Sequence, residues 1–336
     1  MGSSGRVQGR QGGGSGRGSG SGRGSVDPRV PAVFPARDAA MHGLTRGQLQ
    51  GPAFQSLSSG IRAVRDAELP PLEVYRAFST ITPDAFLSHV SAAVAWGIWL
   101  PPRFRAGFPV HLGRESEVAA PMRRRNVIGH RCPEGAAIRE VDGVRIISPA
   151  WCWTQLGEVL GIEDLVVAGD ALLQRADGPP RSPGLLGSNP LSTTADIRAV
   201  LEVRRGFRGR RRCLEAIDLL RARVDSAPES AVRQRIVRRG YPEPLVNARI
   251  DLGDGDWVEP DLAFREARVA VQYEGRHHGE EAQLARDIRR DHRLERIRWL
   301  TVRADKTFFT PRGELEFFAR LRHAFERQGC RAPRTA

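Results

Sequence analysis

Two carboxylates and one amide near the C-terminus have the spacing to gather around a hard cation. Residues 257–278 read WVEPDLAFREARVAVQYEGRHH. Along 257–264, Val258, Pro260, Leu262 and Phe264 alternate with Trp257, Glu259 and Asp261. Along 268–274, Val269, Val271 and Tyr273 alternate with Ala270, Gln272 and Glu274. Strand side chains repeat with period two, so each run presents one apolar and one polar face. An even-length turn around Glu266-Ala267 pairs Phe264 with Val269 and Leu262 with Val271. Asp261 then faces Gln272, and Glu259 faces Glu274. A one-residue slip would put the polar residues of one strand under the apolar face of the other, so burial selects this register. The outcome is an acidic cluster with His277 and His278 at its edge, suited to a divalent metal and a phosphate.

Neighbouring elements must hold that cluster in place. Before it, Ser226-Ala-Pro-Glu229 spells a capping box, Ser at the N-cap and Glu at N3, so Glu229 starts a helix. After it, a helix over 280–297 has Leu284, Ile288, Leu294 and Ile297 for its buried side and Arg286, Arg289, Arg290, Arg293 and Arg296 around the rest. Asp287 and Asp291 can pair with arginines one turn away, worth only ~0.2–0.5 kcal/mol each. Such a helix can simply be a solvated face. Its position after the acidic site, together with the basic run 204–212, favours phosphate contact through Arg204, Arg205, Arg208, Arg210, Arg286, Arg290 and Arg293. Imidazole titrates near neutrality, so His277 or His278 could donate to a phosphate oxygen or protonate a leaving alkoxide; an exposed loop pair is the competing reading.

Acid-Pro-Asp, a strand ending in Tyr-Glu-Gly-Arg-His-His, a basic helix with Asp287, Arg290 and Leu294, and the run Trp299-Leu-Thr-Val-Arg303 together resemble the Vsr-like (very-short-patch-repair-like) branch of the PD-(D/E)xK nucleases, over roughly residues 210–328. The resemblance implies an α/β (α+β) domain with a mixed sheet flanked by helices, and hydrolysis of DNA phosphodiester bonds with Mg²⁺ (or Mn²⁺). It makes Asp261 and Glu274 metal ligands, lets Gln272 complete the shell, brings Glu229 toward the metal, and gives His278 a role at the phosphate. The chain departs from the superfamily where Glu-x-Lys has become Gln-x-Glu. An amide oxygen coordinates without adding charge, and a glutamate in the lysine slot orients or deprotonates the attacking water in some restriction enzymes of the superfamily. A vestigial site that keeps the fold and loses the chemistry is the other reading. It would make the protein a catalytically inert DNA-binding regulator or antitoxin-like protein. Residues 44–64, LTRGQLQGPAFQSLSSGIRAV, resemble the degenerate winged helix-turn-helix that opens AbiEi-like antitoxin proteins.

The rest of the chain bounds these readings. Its 336 residues suffice for two or three domains. The expected division is a disordered Gly/Ser/Arg tail (1–37), a winged helix-turn-helix (38–100), an AbiEi-like middle region (101–209) and the nuclease-like domain (210–330). The tail could graze nucleic acid, or be upstream sequence if translation starts at Met41. The net charge is +13, and Lys306 is the only lysine, so the excess is arginine, a bidentate phosphate donor. A GC-rich genome explains arginine over lysine; a polyanionic partner, DNA above all, explains the excess over acids. Four scattered cysteines without metal spacing point to a reducing cytosol, and no apolar run approaches the ~20 residues of a membrane span. In the first region Phe54, Leu57 and Ile61 recur at helical spacing, and 61–64 can begin a wing strand. A helix over 84–98 carries His89, expected to be a hydrogen-bonded core residue. Short strands are expected at 109–112, 127–129, 138–141 and 144–147, the last two joined by an Asp142-Gly143 turn. Helices follow over 150–175, 195–203 and 214–224.

Overall fold

The computed structural model describes residues 26–104, 107–115, 122–178, 185–253, 255–275 and 292–333. They form an α+β fold with several sheets, mixed in strand direction.

Order begins earlier than the composition of the tail suggests. Strand β1 (Val33–Pro35) pairs with β3 (Ile61–Val64), which pairs in turn with β2 (Phe54–Ser58). Val30, Phe34, Leu49 and Phe54 form a small core beneath them, with Phe34 and Phe54 edge to face. Residues 26–37, expected to belong to a disordered tail, are therefore ordered: a single Val-Phe pair suffices because β3 supplies its backbone partners. The strand expected over 61–64 is present as β3, while the helical reading of Phe54 and Leu57 is corrected. Residues 38–70 hold only two 3-10 turns, at Ala36–His42 and Gln48–Gln50, and Phe54 and Leu57 lie on a strand. Their three-residue spacing mimics a helix, yet the strand shifts register between Ser56 and Ser58, which buries Leu57 and Ser58 in succession.

The middle of the chain centres on a five-stranded sheet. It comprises β4 (Phe86–Leu87), β5 (Val110–Glu115), β6 (Val127–Cys132), β7 (Ile138–Val141) and β8 (Val144–Ile147), in the order β6-β5-β4-β8-β7. The β7–β8 turn has Asp142 and Gly143 both at positive φ, as its sequence requires. Helix α1 (Pro71–Ile81) buries Val74, Tyr75 and Phe78. The helix expected over 84–98 begins late: β4 occupies its start, and α2 spans only His89–Ala95. Helices α3 (Pro149–Leu156), α4 (Ile162–Leu172), α5 (Thr194–Val203) and α6 (Arg210–Ile217) complete this core. Helix α6 starts before residue 214, at Arg210, and its N-cap Gly209, at φ +89°, lies so close to Gly157 that a Cβ would stand 2.1 Å from the Gly157 carbonyl oxygen. Cys213, Ile217 and Leu220 thus belong to the middle core, although 210 was expected to open the next domain.

Beyond it, α7 (Ala227–Arg238) and α9 (Pro311–Arg327) cover one face of a four-stranded sheet. Its order is β14 (Leu300–Asp305), β13 (Val269–Glu274), β12 (Leu262–Phe264), β9 (Leu245–Val246), with β13–β14 parallel and the other pairs antiparallel. The opposite face carries Ala263 and Ala270, packed on Leu294 and Trp299 and on the hairpin β10 (Ile250–Gly253)–β11 (Asp256–Val258). Leu294 sits on a short helix, α8, over 292–296.

The two cores meet through a buried ion pair. Asp170 of α4 and Arg233 of α7 are 3.1 Å apart with side chains 0% and 2% exposed. Asp170 also accepts from Ser230 Oγ (2.7 Å) and the Arg221 amide (2.7 Å); Arg233 also reaches Glu243 and the Leu219 carbonyl.

Two stability outcomes follow. Phe34→Ala empties the small N-terminal core and should cost about 3 kcal/mol, as large aromatic truncations do; unfolding in urea measures it, and an unchanged midpoint would return residues 26–37 to a dispensable tail. Arg233→Met strands a buried carboxylate and should cost roughly 3–5 kcal/mol; a loss under 1 kcal/mol would show the pair to be incidental.

Candidate functional site

The hairpin register is the one burial requires: Leu262 opposite Val271, Ala263 opposite Ala270, Phe264 opposite Val269. A turn over 265–268 closes it, with Arg268 at φ +49°. Immediately beyond the Leu262–Val271 pair, Asp261 Oδ2 accepts the Tyr273 backbone N–H at 2.6 Å, and the Asp261 carbonyl accepts the Asn247 N–H at 3.0 Å. Asp261 is thus pinned at the mouth of the hairpin, beside Gln272.

The run 257–264 is not one strand. It breaks between Val258 and Leu262, around Pro260, which has no N–H to give a ladder. Glu259 is therefore not paired with Glu274. It turns to Arg175 (3.2 Å) and Arg223 (3.4 Å), tying the hairpin to the middle core.

Glu229 fills the capping role its sequence context offers. As the third residue of α7 it accepts from Ser226 Oγ (2.7 Å) and the Asp225 N–H (3.1 Å), while its own N–H reaches Ser226 Oγ (3.4 Å). Burial first, and the Asp261 charge second, push its carboxyl up to about 7. Gln272 is buried, and its amide nitrogen has no hydrogen-bond partner among the described residues. Amide nitrogen and oxygen are assigned by their partners, so the same position could present the oxygen as the orphaned atom.

Glu274 stands apart. It is exposed and ion-paired with Arg303. It borders a cleft of about 970 Å³ between β14 and α9 whose lining includes none of Asp261, Gln272 and Glu229. His277, His278, Arg286 and Arg290 lie outside the described residues. Arg293 pairs with Asp256. Arg205 and Arg208 are exposed. Arg210 is half-buried and donates to the Leu201 carbonyl. Arg204 has to be removed from any phosphate-binding face. Its side chain is 9% exposed, bonded to Glu158 and Thr154 and stacked on Phe207; a basic run gives no sign of which arginine turns inward.

Elsewhere, sequence reading missed a cluster. His89, His111 and His130 bring ring nitrogens within 4.8 Å of one another, and no other group of three His, Cys, Asp or Glu is so close among the described residues. The three sit on α2, β5 and β6, far apart in sequence, so no spacing rule could reveal them.

No protein-family profile matches this chain, and no solved structure matches it. Two curated proteins from Mycobacterium tuberculosis strains CDC 1551 and H37Rv, both described only as uncharacterized, are 25% identical to it over 169 residues. That alignment covers 50% of this chain and 57% of theirs, so the chain spans little more than half the length of these relatives.

Glu229 has a pH signature. Its folded carboxyl titrates near 7 against an ordinary 4.5, so its contribution to stability is complete below pH 4.5 and is lost as pH rises through 7. At ~1.4 kcal/mol per unit the loss is on the order of 3 kcal/mol. Urea melts should show this slope in the wild type, a shallower one in Asp261→Asn, and none from this group in Glu229→Gln. Identical slopes in all three would uncouple the pair.

Proposed function

We propose that the C-terminal unit is a divalent-metal-dependent endonuclease that hydrolyses DNA phosphodiester bonds. The observation that carries this reading is Glu229, raised by burial and by the Asp261 charge, together with the buried Gln272 amide. Two carboxylates interact, one of them titrating near neutrality, and a buried polar side chain has no partner for its amide nitrogen among the described residues. Strongly perturbed acids mark sites that do chemistry more often than sites that merely hold a fold. The mixed sheet flanked by helices supports the same reading.

Oxygen donors of this kind suit Mg²⁺ or Mn²⁺: Asp261, Gln272 through its amide oxygen, and Glu229 would hold the ion, with Glu274 at the rim. Such an ion, when bound, polarises the phosphate and lowers the pKa of a bound water. The chain's own residues supply the rest. The Tyr273 amide holds the Asp261 carboxylate in one orientation. Glu229, with a carboxyl near 7, can accept a proton from water at Oε1 or Oε2 once its Ser226 or Asp225 bond is relinquished. Exposed arginines such as Arg205 and Arg208 hold the nucleic-acid backbone, and His278 remains the proposed donor to the phosphate.

A second reading, an inert DNA-binding regulator or antitoxin-like protein, draws on Glu274. That residue occupies the position of the superfamily lysine and is engaged with Arg303. In either case DNA affinity should fall with salt, log K against log[salt] sloping about −0.9 per phosphate neutralised.

One substitution separates the readings. In an active enzyme, Gln272→Glu adds a carboxylate where the amide supplies no charge, so Mn²⁺ affinity by calorimetry and plasmid nicking should both rise, while Asp261→Ala should abolish both. In an inert binder the same change repels the phosphate, weakening the gel shift with plasmid intact. Wild-type protein that neither nicks plasmid with Mg²⁺ or Mn²⁺ nor binds Mn²⁺ through Asp261 would end the enzymatic proposal.

A further inference from the structure

The histidine cluster lies on the five-stranded sheet, outside the site just described. His111 on β5 and His130 on β6 stand on neighbouring parallel strands, Gly113 being the register partner of His130. His111 Nδ1 and His130 Nε2 are 2.9 Å apart, the His89 and His130 rings stack with centroids 3.6 Å apart, and the His111 and His130 rings lie nearly parallel. Two neutral imidazoles at 2.9 Å share one proton. The third ring, stacked on one of them, gains little from that bond.

We propose that His89, His111 and His130 form a three-histidine site for a divalent ion of the zinc class. Tetrahedral Zn²⁺ with bonds of 2.0–2.1 Å separates its ligand nitrogens by about 3.4 Å. The observed nitrogens, within 4.8 Å of one another and at 2.9 Å for the closest pair, surround that value. An ion would take the place of the shared proton, which moves to the other nitrogen of its own ring as that imidazole changes tautomer.

The backbone around the rings is fixed by bonds that have no need of the imidazoles. The His89 N–H donates to Gln155 Oε1 (2.9 Å), the His111 N–H to Ser91 Oγ (2.9 Å), and the Ser88 N–H to the His111 carbonyl (3.1 Å). His89 Nδ1 contacts Ser88 Oγ at 3.2 Å, the outer-shell contact that leaves Nε2 as the metal-binding nitrogen. Glu158 Oε1 is 4.0 Å from that Nε2, so a carboxylate stands beside the site to offset the ion's charge. It is also bonded to Arg204. The fourth coordination position falls to Glu158 or to water, which can enter because His111 and His130 are only half-buried.

The donor set chooses the metal. Three neutral imidazoles favour Zn²⁺, Co²⁺, Ni²⁺ or Cu²⁺ and offer little to Mg²⁺. Burial holds His111 and His130 down to about 4, so both present lone pairs at neutral pH without giving up a proton. This is the reverse of the Asp261 site, whose oxygens suit a hard ion, and the two stand or fall separately.

The test uses the full chain, stripped with chelator and dialysed against Zn²⁺ or Co²⁺. The expected result is one tightly held zinc per chain by elemental analysis, and a Co²⁺ form with the intense visible absorption of a four- or five-coordinate nitrogen site. His111→Ala and His130→Gln should lose this ion, while Asp261→Ala and the double variant His277→Ala/His278→Ala should keep it. Wild-type protein that retains no zinc overturns the proposal. So does a pale, six-coordinate Co²⁺ spectrum, or unaltered zinc binding in folded His111→Ala or His130→Gln. If both histidine variants fail to fold, the wild-type Co²⁺ spectrum and the two control variants decide the matter.

Discussion

The buried contact between Asp170 and Arg233 is the constraint around which both halves of the molecule are arranged. An ionised pair removed from water loses hydration that its mutual attraction rarely restores in full, so geometry around it has to be complete. Here it nearly is. Asp170 accepts a backbone amide, a hydroxyl and a guanidinium, while the two terminal nitrogens of Arg233 also reach Glu243 and the Leu219 carbonyl and its buried Nε has no partner among the described residues. Burial still outweighs these partners and pushes the Asp170 carboxyl up. The pair is therefore poorly explained as a source of net stability. The pair joins α7 to α4, and α7 carries Glu229 toward Asp261. Arg175 extends the same join on the other flank by holding both Asp225 and Glu259.

Legibility followed the range of the interaction. The β12–β13 register and the β7–β8 hairpin could be read because period-two burial and turn chemistry act within a dozen residues. Glu229's dual position was legible as a cap; its electrostatic link to Asp261 was anticipated only through family resemblance. What failed had competing local explanations. Phe54 and Leu57 showed helical spacing because a β-irregularity changes the parity of a short strand. Pro260 was read as one more apolar residue of a strand, when its missing N–H ends the pairing and sends Glu259 to the arginines. Arg204 looked like its exposed neighbours, and only Glu158 and Phe207, brought from elsewhere in the fold, make it a core residue. The three histidines were beyond reach for the same reason, since α2, β5 and β6 must be assembled before their rings meet.

The two candidate centres divide the chemistry of the chain by donor hardness. The hairpin mouth offers carboxylate and amide oxygens where burial first, and the Asp261 charge second, hold one carboxyl near neutrality. The five-stranded sheet offers neutral nitrogens with a single carboxylate beside them. On the proposed readings, the imidazole set would offer little to Mg²⁺, whereas oxygen donors accept hard and transition ions alike, so discrimination would rest with the histidines.

The strand directions of the C-terminal sheet carry a kinetic consequence. β12 and β13 are antiparallel neighbours joined by a tight turn, so their contacts close a short loop at small entropic cost. β14 joins β13 in parallel and must wait for the chain across 275–299 to return. Local pairings form before distant ones when chain entropy sets the order. The Tyr273–Asp261 bond therefore belongs to the early part of assembly, and the Glu274–Arg303 contact to the late part. A nascent chain stalled before residue 300 would already hold its aspartate in place, with the far end of the same strand still unpartnered.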